Sequence, residues 1–284
     1  MTHHIRATIL GCGSSGGVPR ANGDWGDCDP NNPKNRRRRC SLLVEQAVSQ
    51  HALDTGDEDT RVVIDASPDF REQMLSAKVR RLDGVLITHD HADQTHGMDD
   101  LRAFALSQKT RIPVWMDDVT AETLLVRFGY AFNARPNSPY PAILDRRDIN
   151  EQRSCIQISG PGGIIDFTPY IQQHGWITSL GFRFADLAYS ADISGIGQTS
   201  LDKLDGLQCW IIDALRHEPH PTHFSVDDAL RVLESVKCRT GILTNLHIPL
   251  YYEKLSATLP DNVRCAFDGI QVTQGPQSLV FNDC

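Results

Sequence analysis

The sequence predicts an α/β protein in which two central mixed sheets are flanked by helices. Strand-like runs of apolar or β-branched residues recur along the 284-residue chain. Other stretches have apolar residues three or four positions apart, as amphipathic helices do. The two kinds of segment alternate in blocks, strand-rich and then helical, twice along the chain. Because a Rossmann or barrel protein would alternate strand and helix steadily, two sheets with outer helices fit the order better.

The individual elements follow from these patterns. Strands are predicted at residues 7–10, 41–44, 61–64, 84–87, 113–116, 164–167, 180–184, 187–190, 210–212, 240–243 and 270–272. Helices are predicted at residues 98–108, 118–128, 225–235 and 250–259. Ser225 suits the N-cap of its helix, and Asp227 and Asp228 follow in the first turn, where the helix dipole favours negative charge.

The amino-acid composition and the N-terminal residues indicate which class of protein to expect. Hydrophobic residues make up 40% and charged residues 23% of the chain, which is ordinary for a folded globular protein. Apolar runs fall far short of the roughly 20 residues that a membrane-spanning helix needs. The first residues lack the apolar core of a secretory signal. We therefore expect a single domain over residues 1–284 in the cytoplasm, without a membrane partner; a homodimer stays open.

Charge and cysteine usage agree with that class. The net charge of −8 argues against general nucleic-acid binding. Residues 34–39 carry five positive charges, which either steer a small phosphate ester toward a site or pair with surface acids. Eight cysteines occur without a Cys-x-x-Cys pair, so reduced thiols are expected.

The most informative feature is the run from residue 88 to residue 96, which holds three histidines and two aspartates directly after the apolar segment 85–87. His89 and His91 are two positions apart, so in an extended loop both rings reach one ion, and Asp93 adds a hard oxygen. Open α/β sheets place their chemistry at strand ends. A solvated polar loop is the alternative, but ligand spacing and strand placement would then coincide by accident. The run predicts a metal site.

This run resembles the His-x-His-x-Asp-His signature of the metallo-β-lactamase superfamily. Further matches lie at residues 64–71, 97–102, 174–175, 189–192, 222–225 and 243–247. Together they resemble the PhnP-like phosphodiesterase branch, over about residues 9–268. The resemblance implies the αβ/βα sandwich of that superfamily. It also implies hydrolysis of a small cyclic or diester phosphate through a metal-bound hydroxide, with a small phosphate ester as the binding partner.

The resemblance further implies two divalent ions, zinc or manganese. The first would be held by His89, His91 and His174. Asp192 would bridge to the second ion, whose other ligands fall at Asp93 and His247.

Catalytic roles are implied for two residues. Asp93 is one of them, and His223 matches the position of the general acid that protonates the leaving group. Three residues are further candidates for substrate binding: Ser14 and Ser15 in a glycine-serine turn after the first strand, and His220. Asp65, at a strand end, is a candidate for orienting a metal-bound histidine.

One position departs from the family pattern, because the last signature histidine falls at Gln94. A carboxamide oxygen is a weaker ligand than imidazole, so we expect a weak second ion site that favours manganese or other oxygen-tolerant ions. His96 follows two residues later, at the start of a predicted helix, and is expected to point elsewhere.

Other functions stay open. The same metal core supports ester or lactone hydrolysis. A weakened second site would also suit a mononuclear-iron dioxygenase acting on a sulfur substrate. A nucleotide-binding protein whose site has decayed at Gln94 is a third alternative, but a decayed site would have little reason to keep Asp192 and every other ligand.

Overall fold

The computed structural model describes residues 3–56, 58–134, 136, 138–149, 155–276 and 278–282. Its strands are β1 His4–Gly11, β2 Ser41–Ala47, β3 Thr60–Ile64, β4 Gly84–Leu86, β5 Ile112–Met116, β6 Leu144–Asp148, β7 Ile156–Gly160, β8 Gly163–His174, β9 Ile177–Phe184, β10 Leu187–Ser190, β11 Gly195–Ile196, β12 Cys209–Asp213, β13 Thr240–Thr244, β14 Val263–Cys265, β15 Gln271–Gln274 and β16 Leu279–Asn282. Its α-helices are α1 Gln50–Thr55, α2 Phe70–Ser76, α3 Ala92–Thr95, α4 Leu101–Gln108, α5 Asp118–Phe132, α6 Gln198–Leu201, α7 Val226–Ser235 and α8 Tyr252–Thr258.

The strands form two mixed sheets. The first has the order β16-β15-β1-β2-β3-β4-β5-β6, and its members from β3 to β6 run parallel. The second has the order β11-β8-β9-β10-β12-β13-β14, with β7 paired to β8, and its members from β10 to β14 run parallel. Long hairpins such as β8–β9 supply the antiparallel part of each sheet.

Three apolar clusters give the fold its layers. Ile64 and Leu86 of the first sheet share one cluster with Phe167 and Phe182 of the second, so the two sheets pack face to face. The other face of the first sheet packs against α2, α4 and α5. The other face of the second sheet packs against α7 and α8, with the fully buried Trp210 at its centre. The predicted fold class, two mixed sheets flanked by helices, is confirmed.

Every strand and helix predicted from the sequence is present, with shifted ends. The elements that the sequence did not reveal are mostly short. Helices α3 and α6 have four residues each, and β11 has two, which is too short for a hydrophobic period to show. Strand β6 reads LDRRD and has exposed charged residues, so it lacks the apolar alternation of a half-buried strand.

Parallel strands position the candidate site because their carboxyl ends meet at one edge of a sheet. In the first sheet, Asp65 follows β3, and His89 lies shortly after β4. In the second sheet, Asp192 follows β10 and Asp213 ends β12. The backbone N–H of Leu180, in β9, donates to the Thr88 carbonyl at 2.9 Å and joins the two edges.

The basic run at residues 34–39 is largely structural. Arg37 is buried, and its guanidinium donates to the carbonyls of His247 and Leu250. Arg38 and Arg39 form ion pairs with Asp268 and Asp69. Of the two interpretations offered above, Arg38 and Arg39 therefore follow the one in which arginines pair with acids, whereas Arg37 bonds to backbone carbonyls.

The cysteines and the helices also bear on two expectations from the sequence, reduced thiols and the lack of a membrane-spanning segment. The seven described cysteines are all free thiols, and Cys284 lies outside the described residues. In the part of the chain that the structure covers, none of the helices has the length and apolar character needed to cross a bilayer.

The N-terminus of α7 offers a test of local stability. Ser225 Oγ accepts from the Asp228 N–H at 3.2 Å, and the Asp228 carboxylate accepts from the Ser225 N–H at 3.0 Å. We expect Ser225→Ala to lower the free energy of unfolding in urea by about 1 kcal/mol, because this capping box loses its hydroxyl. Ser235→Ala is the control, since its exposed hydroxyl bonds only within the last turn of the same helix. Equal losses in both variants would contradict the capping role.

Candidate metal centre and active site

Four of the six predicted metal ligands converge in the structure. Each offers one ligand atom, and these atoms lie within 4.8 Å of one another: His89, His91, His174 and Asp192. His91 Nδ1 lies 3.3 Å from His174 Nε2. Asp192 Oδ2 lies 3.6 Å from Nε2 of both His89 and His174. A tetrahedral ion with bonds of about 2.1 Å requires ligand atoms roughly 3.4 Å apart, so this cluster has the size of a single metal site.

Hydrogen bonds leave the correct nitrogen of each buried histidine available. His174 Nδ1 lies 2.6 Å from the Thr222 carbonyl, which can only accept, so the proton is on Nδ1 and Nε2 has the free lone pair. The Thr88 hydroxyl contacts both the Asp65 carboxylate and His89 Nδ1. Asp65 thus orients His89 through Thr88. Within the described residues, His89 Nε2 is buried without a hydrogen-bond partner, as expected of an atom that binds a cation.

Burial sets the charge state of these groups. It lowers the pKa of His89 well below its usual range and the pKa of His174 to about 4, so both rings are neutral at physiological pH. Neutral imidazole is the form that binds metal. Burial and the nearby Asp93 carboxylate raise the pKa of Asp192. A cation among these atoms would favour the ionised form of that carboxyl.

Three residues at the strand ends have left-handed backbone conformations. The φ angles are 66° at Asp65, 46° at Asp192 and 60° at Asn245. Asp and Asn tolerate this region better than other non-glycine residues, although it still costs energy. The conformation lets the chain turn sharply at the end of the strand, which places Asp192 in the cluster, Asn245 against Asp192 and Asp65 against Thr88.

His223 lies beside the cluster, and its ring centroid is 4.8 Å from that of His174. Its Nδ1 lies 2.7 Å from Oδ2 of Asp213, which is fully buried. Burial alone would lower the pKa of His223, but the Asp213 carboxylate raises it to about 9. The ring is therefore protonated at neutral pH, and Nε2 carries the second proton. This is the state that a general acid requires.

The residues predicted for the second ion behave differently. Asp93, in the first turn of α3, lines the pocket together with His247. Neither belongs to the four-residue cluster found among the described residues. His247 Nε2 lies 2.7 Å from Arg20 Nη2, and Gln94 Nε2 donates to Asp192 Oδ1 at 3.1 Å. His96 packs against Phe128 on the surface, so it points away from the cluster as expected.

An open pocket of about 290 Å³ lies above the cluster. All three predicted substrate-binding residues line it: Ser14, Ser15 and His220. Trp176 and Leu215 add apolar groups to the wall, and Trp176 is 86% exposed. The pocket therefore accommodates a small molecule with both polar and apolar parts.

Sequence reasoning missed several residues of this site. Asp213 was visible only as a carboxylate after the predicted strand 210–212, a weak signal. Arg20 and Arg216 gave no signal of their own, because each reaches the site through tertiary contacts. Asn245 lies in the matched segment 243–247, but its contact with Asp192 was not predicted. His174 is the last residue of β8. Its pairing with Ile177 across the hairpin fixes its direction.

Comparisons with known proteins agree with the fold and the motifs. A family model described as a β-lactamase superfamily domain matches residues 60–248, about two thirds of the chain. The structure is also similar to a solved structure described as a new diphosphatase from the PhnP family. The two have a TM-score of 0.83 and 30% sequence identity, and the match covers 97% of this chain and 99% of that chain.

Two further proteins are similar to this chain, one in structure and one in sequence. Zinc-bound PqqB from Methylobacterium extorquens has a TM-score of 0.69 and 16% identity over 94% of this chain and 99% of its own, which shows a common fold. A Porphyromonas gingivalis protein named octanoyltransferase is 28% identical over 98% of this chain, but the match covers 54% of that protein. The chain spans about half the length of this curated relative. The family model and the full-length match establish that the chain belongs to the metallo-β-lactamase superfamily, in its PhnP-like branch.

Proposed function

We propose that this protein is a metal-dependent phosphodiesterase that hydrolyses a small cyclic or diester phosphate. Membership in the metallo-β-lactamase superfamily supports the broader assignment, a metal-dependent hydrolase. The finer assignment is carried by the His223–Asp213 pair, which faces the His/Asp cluster across one pocket. Phosphodiester hydrolysis needs a cation for the anionic oxygens and an acid for the leaving alkoxide, and this pocket offers residues for both.

The residues of the chain divide the work between them. His89, His91, His174 and Asp192 would hold a divalent ion, which when bound supplies Lewis acidity toward water and phosphate oxygens. Asp213 accepts the Nδ1–H of His223 and fixes the ring. As the water oxygen joins phosphorus and the P–O bond to the leaving group breaks, His223 passes its Nε2 proton to the leaving oxygen. A diester and water thereby give a monoester and an alcohol, and the proton that the attacking water loses replaces the one that His223 gave up.

A mononuclear-iron sulfur dioxygenase is the second candidate. The observation in its favour is that Asp93 and His247 lie outside the four-residue cluster, which leaves a centre for one ion. The protonated His223 favours hydrolysis instead, because leaving-group protonation has no counterpart in oxygen insertion at sulfur. Ester or lactone hydrolysis remains the alternative within hydrolases.

The test begins with protein freed of metal and reloaded with zinc, manganese or ferrous iron. We expect the zinc or manganese form to hydrolyse bis(p-nitrophenyl) phosphate and a cyclic ribose phosphate, and p-nitrophenyl acetate to be a poor substrate. Hydrolysis of the acetate without either phosphate would assign an esterase. Oxygen uptake by the iron form with a persulfide substrate, again without phosphodiester cleavage, would assign the dioxygenase.

A further inference from the structure

We infer that this chain holds one divalent ion and that the guanidinium of Arg20 serves as the second cation of the site. The inference deepens the proposed function and rests on it, since it names the group that would meet a phosphate oxygen opposite the ion. The residues that the family resemblance implies for a second ion do not fit one, for two independent reasons.

The first reason is that the His247 lone pair is already used. Arg20 Nη2 lies 2.7 Å from His247 Nε2. A guanidinium can only donate hydrogen bonds, so Nε2 is the acceptor and has no proton of its own. Nδ1 then carries the proton, although it is buried without a hydrogen-bond partner among the described residues. An ion at Nε2 would need the lone pair that accepts from Arg20, and an ion at Nδ1 would leave an Nε2 proton facing the Arg20 donor. Arg20 and a second ion therefore exclude each other at His247.

The second reason is that hydrogen-bond donors surround one oxygen of Asp192. Oδ1 accepts from Gln94 Nε2 at 3.1 Å and from Asn245 Nδ2 at 2.9 Å. Oδ2 faces the nitrogens of His89 and His174. Gln94 thus presents an amide N–H to Asp192 where the family motif has a metal-binding imidazole. The donor set fits one ion on the Oδ2 side and does not fit a second on the Oδ1 side.

Arg20 is held beside the site by its own loop. Its backbone N–H donates to the Asp24 carbonyl at 2.9 Å, and its Nη1 lies 3.6 Å from the Asp24 carboxylate. The aliphatic part of the side chain crosses Gly16, where an added Cβ would lie 3.3 Å from Arg20 Cγ. The small residue in the glycine-serine turn leaves room for the arginine. The Arg20 side chain is 41% exposed, so a substrate can reach it.

A guanidinium is suited to this role. It keeps its charge at every relevant pH, and its planar donors match two oxygens of a phosphate group. A phosphate between Arg20 and an ion on the His89 side would meet positive charge on both sides. The chain would then need no second metal to neutralise the diester.

The first test counts ions without any turnover. Manganese is titrated into metal-free protein, and bound ions are counted by elemental analysis and by electron paramagnetic resonance. We expect one ion per chain in the unaltered protein. The double variant Gln94→His, Arg20→Ala should bind two, because it frees His247 and restores an imidazole beside Asp93. The control Gln94→His, Arg216→Ala also removes one arginine, in this case one that lines the pocket; it leaves Arg20 on His247 and should stay at one ion.

Two outcomes of that titration would overturn the inference. One is two ions per chain in the unaltered protein, which would make the buried and unpartnered Gln94 Oε1 a ligand of the second. The other is a double variant with Arg20→Ala that stays at one ion, since Arg20 would then not be what excludes the second.

The second test measures the affinity of the manganese-loaded protein for inorganic phosphate by calorimetry. Arg20→Ala should weaken binding roughly tenfold or more, the loss expected for a charged hydrogen bond. Arg20→Lys should retain part of the affinity, because it keeps the charge and loses the planar pair of donors. Unchanged affinity in Arg20→Ala would refute the role of Arg20. If the protein cleaves no phosphodiester yet behaves as expected in both tests, the proposed function alone fails.

Discussion

Alanine at His89, His91 or Asp192 is expected to reduce phosphodiester hydrolysis to the level of the metal-free protein. Each substitution removes one of the atoms that converge in the cluster, and three remaining atoms hold a divalent ion less tightly. His89 and Asp192 are almost fully buried, so alanine at either position also leaves a cavity lined by polar groups. Bound metal per chain and the rate with bis(p-nitrophenyl) phosphate are the two measurements.

The matched control for these variants is His96→Ala. His96 belongs to the same histidine-rich run, but its ring packs on Phe128 at the surface. This variant should keep its metal and its activity. Thermal unfolding of each metal-free variant separates loss of the ion from loss of the fold. Full metal content and full activity in His89→Ala or Asp192→Ala would refute the site.

Substitution His223→Ala is expected to slow cleavage of alkyl phosphodiesters by roughly 10²–10⁴-fold, the usual contribution of a general acid. The same variant should barely change the rate with p-nitrophenyl diesters, because p-nitrophenolate leaves without a proton. His217→Ala is the control, since His217 is an exposed histidine of the same loop. Equal losses on both classes of substrate would show that His223 has a structural or phosphate-binding role.

The pH dependence gives the second measurement of His223. The Asp213 carboxylate outweighs the effect of burial and raises the pKa of His223 to about 9. A general acid acts in its protonated form, so the rate with alkyl diesters should fall as the pH rises through about 9. This alkaline limb should be missing for p-nitrophenyl diesters and in the His223→Ala variant. A fall centred near pH 6.5 would instead indicate a histidine that the Asp213 carboxylate does not affect.

Much of the fold could be predicted from the local pattern of apolar and polar residues. The predicted strands and helices are present because their apolar residues recur with the period of the element that they form. Many of the elements that were not predicted are too short or too polar to have a period, such as β11 and β6. The same limit applies to α3, whose four residues lie inside the metal-binding run. Strand β7 was also not predicted, although its residues alternate between buried and exposed.

The residues of the candidate site likewise differ in how far the sequence could predict them. His89 and His91 could be found because two ligands of one ion lie two residues apart after a strand. His174, Asp192 and His223 could be placed only through the family resemblance, since nothing in their local sequence requires a metal or an acid. Asp213 and Arg20 escaped both kinds of reasoning. Arg20 meets His247 across 227 positions of chain, and no pattern in the sequence encodes that contact.

The sequence by itself determined the layered α/β fold, the membership of the superfamily and the histidine-rich run, because these depend on local periodicity and motif spacing. Only the tertiary structure decided which predicted ligands lie together. His247 had the same standing as His174 in the sequence, and Asp93 had the support of the local run as well, yet the described structure gathers His174 into the cluster and leaves the other two outside it. The physical reason is competition for lone pairs. Whether His247 or Asp192 can accept a cation depends on Arg20, Gln94 and Asn245, and their positions are set by the packing of the two sheets and their loops.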